Sequence, residues 1–283
     1  MKSKKRKVDI VVLSDVHLGT FGCHAKELLL YLKSIKPKTI VLNGDFIDIW
    51  QFSKRYWPKT HTKLLKYIMG LVGKGVKIYY VTGNHDEVFR KFAGFKLGSF
   101  SIVNKLLLHL PNNEQAWIFH GDVFDVTMQH SKWLAKLGAV GYDLLILVNR
   151  FCNFVSERVM KKGKLSLSKK IKNSVKTALK YINDFEQTAA EIGISNGYTY
   201  VICGHIHQPQ SRIITSDKGS IHYLNSGDWI ENLTSLEYAN NKWSLYHFEE
   251  SLINNGTDKT DEEELDTSKL FENLLQELTM RTA

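Results

Sequence analysis

Five short segments of this chain set carboxylate, amide or imidazole side chains directly behind an apolar run. They read Ser14-Asp15-Val16-His17, Asn43-Gly44-Asp45-Phe46-Ile47-Asp48, Gly83-Asn84-His85-Asp86, His120-Gly121-Asp122 and Gly204-His205-Ile206-His207. Seven of these side chains, Asp15, His17, Asp45, Asn84, His120, His205 and His207, can offer oxygen or nitrogen to a metal ion, and no cysteine joins them. Such a set is too large for one four-coordinate zinc. It suits a pair of octahedral ions, Mn2+ before Fe2+ or Zn2+. Two ions held this way must share a carboxylate, and Asp45, on a central strand behind Gly44, is the natural bridge. A single Asp-x-His after a strand is usually only a loop, so the weight rests on the segments taken together. His24, His61, His109, His130 and His222 stand outside the pattern and read as ordinary surface or core residues.

The elements that must position these donors are legible in the hydrophobic pattern. Strands are predicted at 10–14, 39–43 and 76–82, with helices at 25–34 and 63–72 between them. That β-α-β-α-β order predicts a mostly parallel sheet with helices on its faces. The apolar runs are near-continuous, as in strands buried on both sides. In such a sheet all carboxyl ends lie along one edge, where ligands bind, so distant segments converge there. Further strands are predicted at 115–120, 199–203, 220–224 and 243–248. Between the first two of these, from about 126 to 195, long helical periodicity marks a helical insertion. Residues 151–180 within it carry nine Lys or Arg against one acid, Glu157. The expected catalytic domain spans 1–250. Residues 251–283 read as an acidic linker followed by a short amphipathic helix with Leu270, Phe271, Leu274, Leu275 and Leu278.

The chain has 283 residues, 43% of them hydrophobic, enough for a sizeable core. Its net charge of +9 admits an anionic partner. The basic stretches are not interleaved with aromatics in any nucleic-acid-binding pattern, so nucleic acid is not the expected partner. Cys23, Cys152 and Cys203 form neither a disulfide framework nor a CxxC site, which suits a reducing, cytoplasmic setting. The most apolar stretch, 137–155, contains Asp143, Asn149, Arg150 and Asn153 and falls short of a membrane span. Attachment to a membrane is therefore expected to be peripheral at most. No feature speaks for a particular oligomeric state. A non-catalytic interaction module is disfavoured, because all seven donor positions hold competent residues.

The segments "SDVHLG", "GDFID", "GNHD", "HGD" and "GHIH" resemble, in this order, the calcineurin-like metallophosphoesterase superfamily, over roughly residues 8–248. The resemblance implies an α/β fold, a sandwich of two β-sheets flanked by helices, with a two-metal site at the sheet edge. It assigns Asp15, His17, Asp45 and His207 to one metal, and Asp45, Asn84, His120 and His205 to the other. A metal-bridging hydroxide would then attack phosphorus in line. His85, beside Asn84, would protonate the leaving oxygen or stabilise developing charge. Asp86 would orient His85, and Asp48 would orient a ligand.

"SDVHLG", "GDFIDIW" and the late "NSGDWIEN" further resemble the UDP-2,3-diacylglucosamine pyrophosphatase branch, as does the helical insertion. That likeness implies cleavage of a nucleotide-lipid pyrophosphate to UMP and 2,3-diacylglucosamine 1-phosphate, a step of lipid A biosynthesis. The insertion would act as a lid, with Leu144 to Val155 forming an apolar groove for acyl chains. The basic run 161–180 would hold the diphosphate or rest on anionic headgroups at the cytoplasmic face of the inner membrane. The branch carries Gly-Asn-Arg-Asp where this chain has His85. The alternative is a soluble calcineurin-like phosphodiesterase or phosphatase acting on nucleotides or other phosphoesters.

Overall fold

Successive residues of the central strands face different layers, which explains their unbroken apolar runs. In β1 (Arg6–Leu13), Val11 and Leu13 pack under the helices α1 (Ala25–Ser34) and α2 (Lys59–Val72). Val12, between them in sequence, joins a separate core on the opposite face. Helix α1 buries Leu28, Leu29 and Leu32 and α2 buries Leu64, Ile68 and Leu71, the stripes expected from their 3.6-residue spacing. The structure, a computed structural model, describes residues 5–50, 56–125 and 167–249, with side chains from 178 onward in the last span.

The first sheet has seven strands, which also include β2 (Ile35–Asn43), β3 (Lys77–Val81), β4 (Lys96–Leu97), β5 (Phe100–Val103), β11 (Thr234–Ala239) and β12 (Lys242–His247). Their order is β12-β11-β1-β2-β3-β5-β4. Strands β1, β2, β3 and β5 run parallel; β4, β11 and β12 pair antiparallel. The second sheet has five strands: β6 (Leu106–His109), β7 (Gln115–Ile118), β8 (Tyr200–Cys203), β9 (Gln210–Ser216) and β10 (Gly219–Asn225). Its order is β6-β7-β8-β10-β9, with β7, β8 and β10 parallel. The mostly parallel sheet expected from the first strands is the first of these two, and its second face meets a sheet and not helices. The two-sheet arrangement implied by the family resemblance is the one present.

The sheets face each other through Val12, Val41 and Val81 on one side and Ala116, Ile118, Ile202 and Leu224 on the other. Helix α3 (Leu167–Ser195) closes the far side of the second sheet with Phe185, Ala189 and Ala190. The layers are therefore helix, sheet, sheet, helix. Strand β11 escapes a hydropathy reading because it buries Ser235 and Glu237. Glu237 is satisfied there by Arg6, at 2.7 and 2.8 Å, and by the Tyr31 hydroxyl at 2.9 Å.

The described residues all belong to one compact unit, Met1–Glu249. The expected linker and C-terminal helix at 251–283 lie outside the described residues. So do residues 126–166 of the expected insertion, including Leu144 to Val155 and the start of the basic run. Among the described residues no helix is long and apolar enough to cross a membrane.

Ile118 is fully buried between the sheets. Ile118→Ala is expected to cost about 2–5 kcal/mol in urea unfolding. A loss well below about 1 kcal/mol would mean that the two sheets share no tight core at that point.

Candidate metal centre

The donors sit where strands end, and the strand ends are tied to one another. The stretches after β1 and β2 run side by side: Asp15 N–H donates to the Gly44 carbonyl at 3.2 Å, His17 N–H to Asp45 at 2.9 Å, and Leu18 N–H to Phe46 at 3.0 Å. Gly204 N–H, after β8, donates to the His120 carbonyl at 2.9 Å, and His205 N–H to Asp15 Oδ2 at 3.0 Å. His85 N–H donates to Asp45 Oδ1 at 2.9 Å. These bonds draw segments from both sheets to one seam. The close approach leaves no room at two glycines. A Cβ on Gly83 would lie 2.2 Å from Asp45 Oδ1 and 2.7 Å from its backbone nitrogen, and one on Gly204 would lie 2.6 Å from Ser14 Cβ.

Asp15, His17 and His207 bring ligand atoms within 4.8 Å of one another, and so do Asp45, His120 and His205. Asn84 lies between Gly83 and His85, whose backbones both press on Asp45. Asp15 Oδ1, His17 Nε2, Asn84 Oδ1 and His120 Nε2 are buried without a hydrogen bond of acceptable geometry. Buried polar atoms normally find partners, so this group of orphans fits metal ions held by the same residues. The donor chemistry fits as well: oxygen and imidazole, with no thiolate.

Each histidine is steered by a group behind it. His17 Nδ1 lies 3.0 Å from Asp48 Oδ2, and His120 Nδ1 lies 2.9 Å from the Asn43 carbonyl. His205 Nε2 lies 3.0 Å from Asp125 Oδ1, which also accepts from the Tyr181 hydroxyl at 2.6 Å. His207 Nδ1 is 3.9 Å from Asp228 Oδ2. Asp228 in turn receives backbone N–H groups from Ile230, Glu231 and Asn232, while Asn232 Nδ2 donates to the His207 carbonyl at 2.9 Å. Sequence reasoning missed Asp125 and Asp228. A signal for Asp125 was present: Gly121-Asp122-x-x-Asp125 repeats the spacing of Gly44-Asp45-x-x-Asp48.

The expected role for Asp86 is not what the geometry shows. Its carboxylate accepts from Gly83 N–H at 2.6 Å, Phe46 N–H at 3.1 Å and the Tyr80 hydroxyl. It anchors the Gly-Asn-His-Asp turn to the neighbouring strand end. The carboxylate beside His85 is Asp48, whose Oδ2 is 2.8 Å from His85 Nδ1 and thus serves two histidines. Of the histidines set aside earlier, His61 is buried and accepts Gly19 N–H at 3.3 Å, and His24 pairs with Glu27. His109 and His222 are exposed; His130 lies outside the described residues.

Two fully buried carboxylates this close demand positive charge. Burial alone would raise the Asp15 pKa, but His207 and His120 outweigh it and hold the acid at about 2. Asp45 is driven well below its ordinary value against the same burial penalty, chiefly by His120. The imidazoles respond in kind. Burial opposes their charging, yet Asp45 and Asp15 push His120 well up, and Asp15 lifts His207 to about 9.

Comparison with protein-family models matches residues 8–209 to the calcineurin-like phosphoesterase family. Among curated proteins, a UDP-2,3-diacylglucosamine hydrolase of Aliivibrio fischeri (strain MJ11) is 24% identical over 242 residues, covering 84% of this chain and 97% of its own. One from Blochmanniella pennsylvanica (strain BPEN) is 22% identical over 229 residues, covering 78% and 88%. Among solved structures, a dimetal phosphatase from Danio rerio aligns over 84% of this chain and 95% of its own at 10% identity, with a TM-score of 0.37.

Only neutral imidazole binds a metal, so protons and metal compete for these rings. With His207 protonated below about 9, apparent Mn2+ affinity should rise with pH. Isothermal titration at pH 6, 7 and 8 is expected to show a gain of about tenfold per unit, with proton release on binding. Affinity independent of pH would remove His207 and His120 from the ligand set.

Proposed function

This chain belongs to the calcineurin-like phosphoesterase family, and from that premise we propose that it hydrolyses the pyrophosphate of UDP-2,3-diacylglucosamine. The products would be UMP and 2,3-diacylglucosamine 1-phosphate, a step of lipid A biosynthesis. The observation that carries the chemistry is the meeting of two donor groups, Asp15–His17–His207 and Asp45–His120–His205, at one seam. The relatives named for this substrate, which match across most of their own length, support its identity.

In this reading Asp15, His17, Asp45 and His207 hold one divalent ion, and Asp45, Asn84, His120 and His205 hold the other. Manganese suits the oxygen–imidazole set. When bound, the ions supply Lewis acidity and an activated water. The chain supplies the rest. Asp48 Oδ2, 2.8 Å from His85 Nδ1, pairs with the ring by charge and leaves Nε2 for the leaving oxygen. The His17 ring packs edge-on against His85 at 4.7 Å, and the Trp50 ring lies 4.6 Å away. The proton donor is thereby confined from two sides. Asp86 acts on the turn that carries Asn84 and His85. The acyl chains imply a protein working peripherally at the cytoplasmic face of the inner membrane. A second reading, a soluble phosphodiesterase or phosphatase acting on nucleotides, is favoured by His85 itself. An imidazole cannot grip a diphosphate bidentately as a guanidinium can.

The deciding assay compares Mn2+-loaded protein on UDP-2,3-diacylglucosamine, UDP-glucose and bis-p-nitrophenyl phosphate. A kcat/KM about two orders of magnitude higher for the acylated substrate, with UMP released, is expected. Equal values would transfer support to the second reading. On the preferred substrate, His85→Ala should lower kcat by about 10²- to 10⁴-fold with metal content near normal by elemental analysis. Loss of both metals would make His85 a structural residue or a ligand.

A further inference from the structure

The two halves of the centre are braced in different ways. In the first half, Asp48 and Asp228 stand behind His17 and His207, and the segment 225–232 ties the end of β1 to the end of β8. The second half takes Asn84 from beyond β3, in the first sheet, and His120 from beyond β7, in the second. The direction of the His120 ring is set by the Asn43 carbonyl, while Asn84 Oδ1 is buried without a hydrogen bond. A neutral amide brings no charge to attract a metal ion. Its use as a ligand depends on being held at the right separation from the other donors.

Arg90 spans the gap between those two turns. Its Nη2 donates to the Gly83 carbonyl at 3.3 Å and to the Asp122 carboxylate. Gly83 directly precedes Asn84, and Asp122 stands two residues after His120. One guanidinium nitrogen thus holds the Gly-Asn-His-Asp turn of the first sheet against the His-Gly-Asp turn of the second. A guanidinium suits this task because it stays charged and presents its N–H groups in a rigid plane. The backbone that carries it is itself fixed. Phe89 N–H donates to the Asp86 carbonyl at 3.0 Å, Ala93 N–H donates to the Arg90 carbonyl at 3.1 Å, and the Phe89 ring meets Tyr80 at 5.4 Å.

The head group is directed at the protein. Arg90 Nε is buried without a partner, and Nη2 is committed to two protein oxygens. The Asp122 side chain is only 11% exposed, so its end of the ion pair is largely removed from water. A charge-assisted bond in such a place holds its geometry better than one on an open surface.

We propose that Arg90 is a positioning residue for the second metal ion. Through the Gly83 carbonyl and the Asp122 carboxylate it sets the separation of Asn84 and His120, and with it the affinity for the ion that these two hold with Asp45 and His205. The inference rests on the two-ion reading of the centre and is independent of which phosphoester is cleaved.

The test is titration of the full chain with Mn2+, followed by calorimetry and by electron paramagnetic resonance. Wild type is expected to take up two ions and to show the spin-coupled spectrum of neighbouring Mn2+. Arg90→Gln should keep one ion at near wild-type affinity and bind the other about 10- to 100-fold more weakly. At equal metal its spectrum should be that of isolated Mn2+. Asp122→Asn should shift the same ion in the same direction, and the double variant should be no worse than the poorer single one, because both act through one pair. Near-ultraviolet circular dichroism certifies the fold; if Arg90→Gln fails it, Asp122→Asn carries the comparison. Binding of both ions as in wild type overturns the proposal, and so does equal weakening of both. A raised KM for bis-p-nitrophenyl phosphate with both ions retained also overturns it, since Arg90 would then meet the substrate phosphate directly. Uptake of a single ion by wild type overturns the two-ion reading, and this inference with it.

Discussion

Two carboxylates, Asp15 and Asp45, lie fully buried where the edges of two sheets meet, and the rest of the centre answers to their charge. A buried anion is costly unless positive charge and hydrogen bonds surround it. Each carboxylate has one oxygen tied down by a backbone N–H, from His205 and from His85. The other oxygens face imidazoles: Asp15 Oδ1 is 3.2 Å from His207 Nε2, and Asp45 Oδ2 is 3.1 Å from His120 Nε2. The site is therefore shaped to hold cationic charge, and protons and divalent metal ions compete for the same space.

That arrangement is built on backbone which ordinary residues avoid. Asp15, His17, Asp45, His205 and His207 all have φ between 51 and 67°. Left-handed backbone at such residues persists only where surrounding contacts over-determine it, and it gathers at functional sites. Here the contacts are the bonds between strand ends and the segment 225–232. Asn225 Nδ2 donates to the Gly204 carbonyl, Ser14 Oγ bonds Ser226 Oγ and the Gly227 carbonyl, and Trp229 N–H donates to the Asp15 carbonyl. One segment thus clasps the end of β1, in the first sheet, to the end of β8, in the second. The late Asn-Ser-Gly-Asp-Trp-Ile-Glu-Asn stretch does not supply donors; it holds the strands that do.

The steering carboxylates follow a related economy. Asp48 and Asp125 each stand four residues after a glycine that follows a strand, and each faces a histidine of the centre. Asp48 also faces His85, so the residue proposed to hand over a proton and a residue proposed to hold metal share one acceptor. A change of charge on either ring is felt by the other through that carboxylate. Trp50, next to His85, extends the same wall outward to solvent.

Much of this was readable in the chain itself. The seven donor types, their place after apolar runs and the glycines that admit them are local properties, set by residue identity and spacing. The first three strands and both early helices followed from periodicity, and the motif order carried the family. Local spacing misled at Asp86, which adjoins His85 in sequence yet turns its carboxylate toward Gly83, Phe46 and Tyr80. What the tertiary structure alone decided was which strands belong to which sheet, and hence which acid faces which histidine. Those pairings depend on contacts between residues up to about two hundred positions apart, such as His205 with Asp15. They follow from the packing of Val12, Val41 and Val81 against Ile118 and Ile202, and no local pattern encodes the distance between two sheet edges.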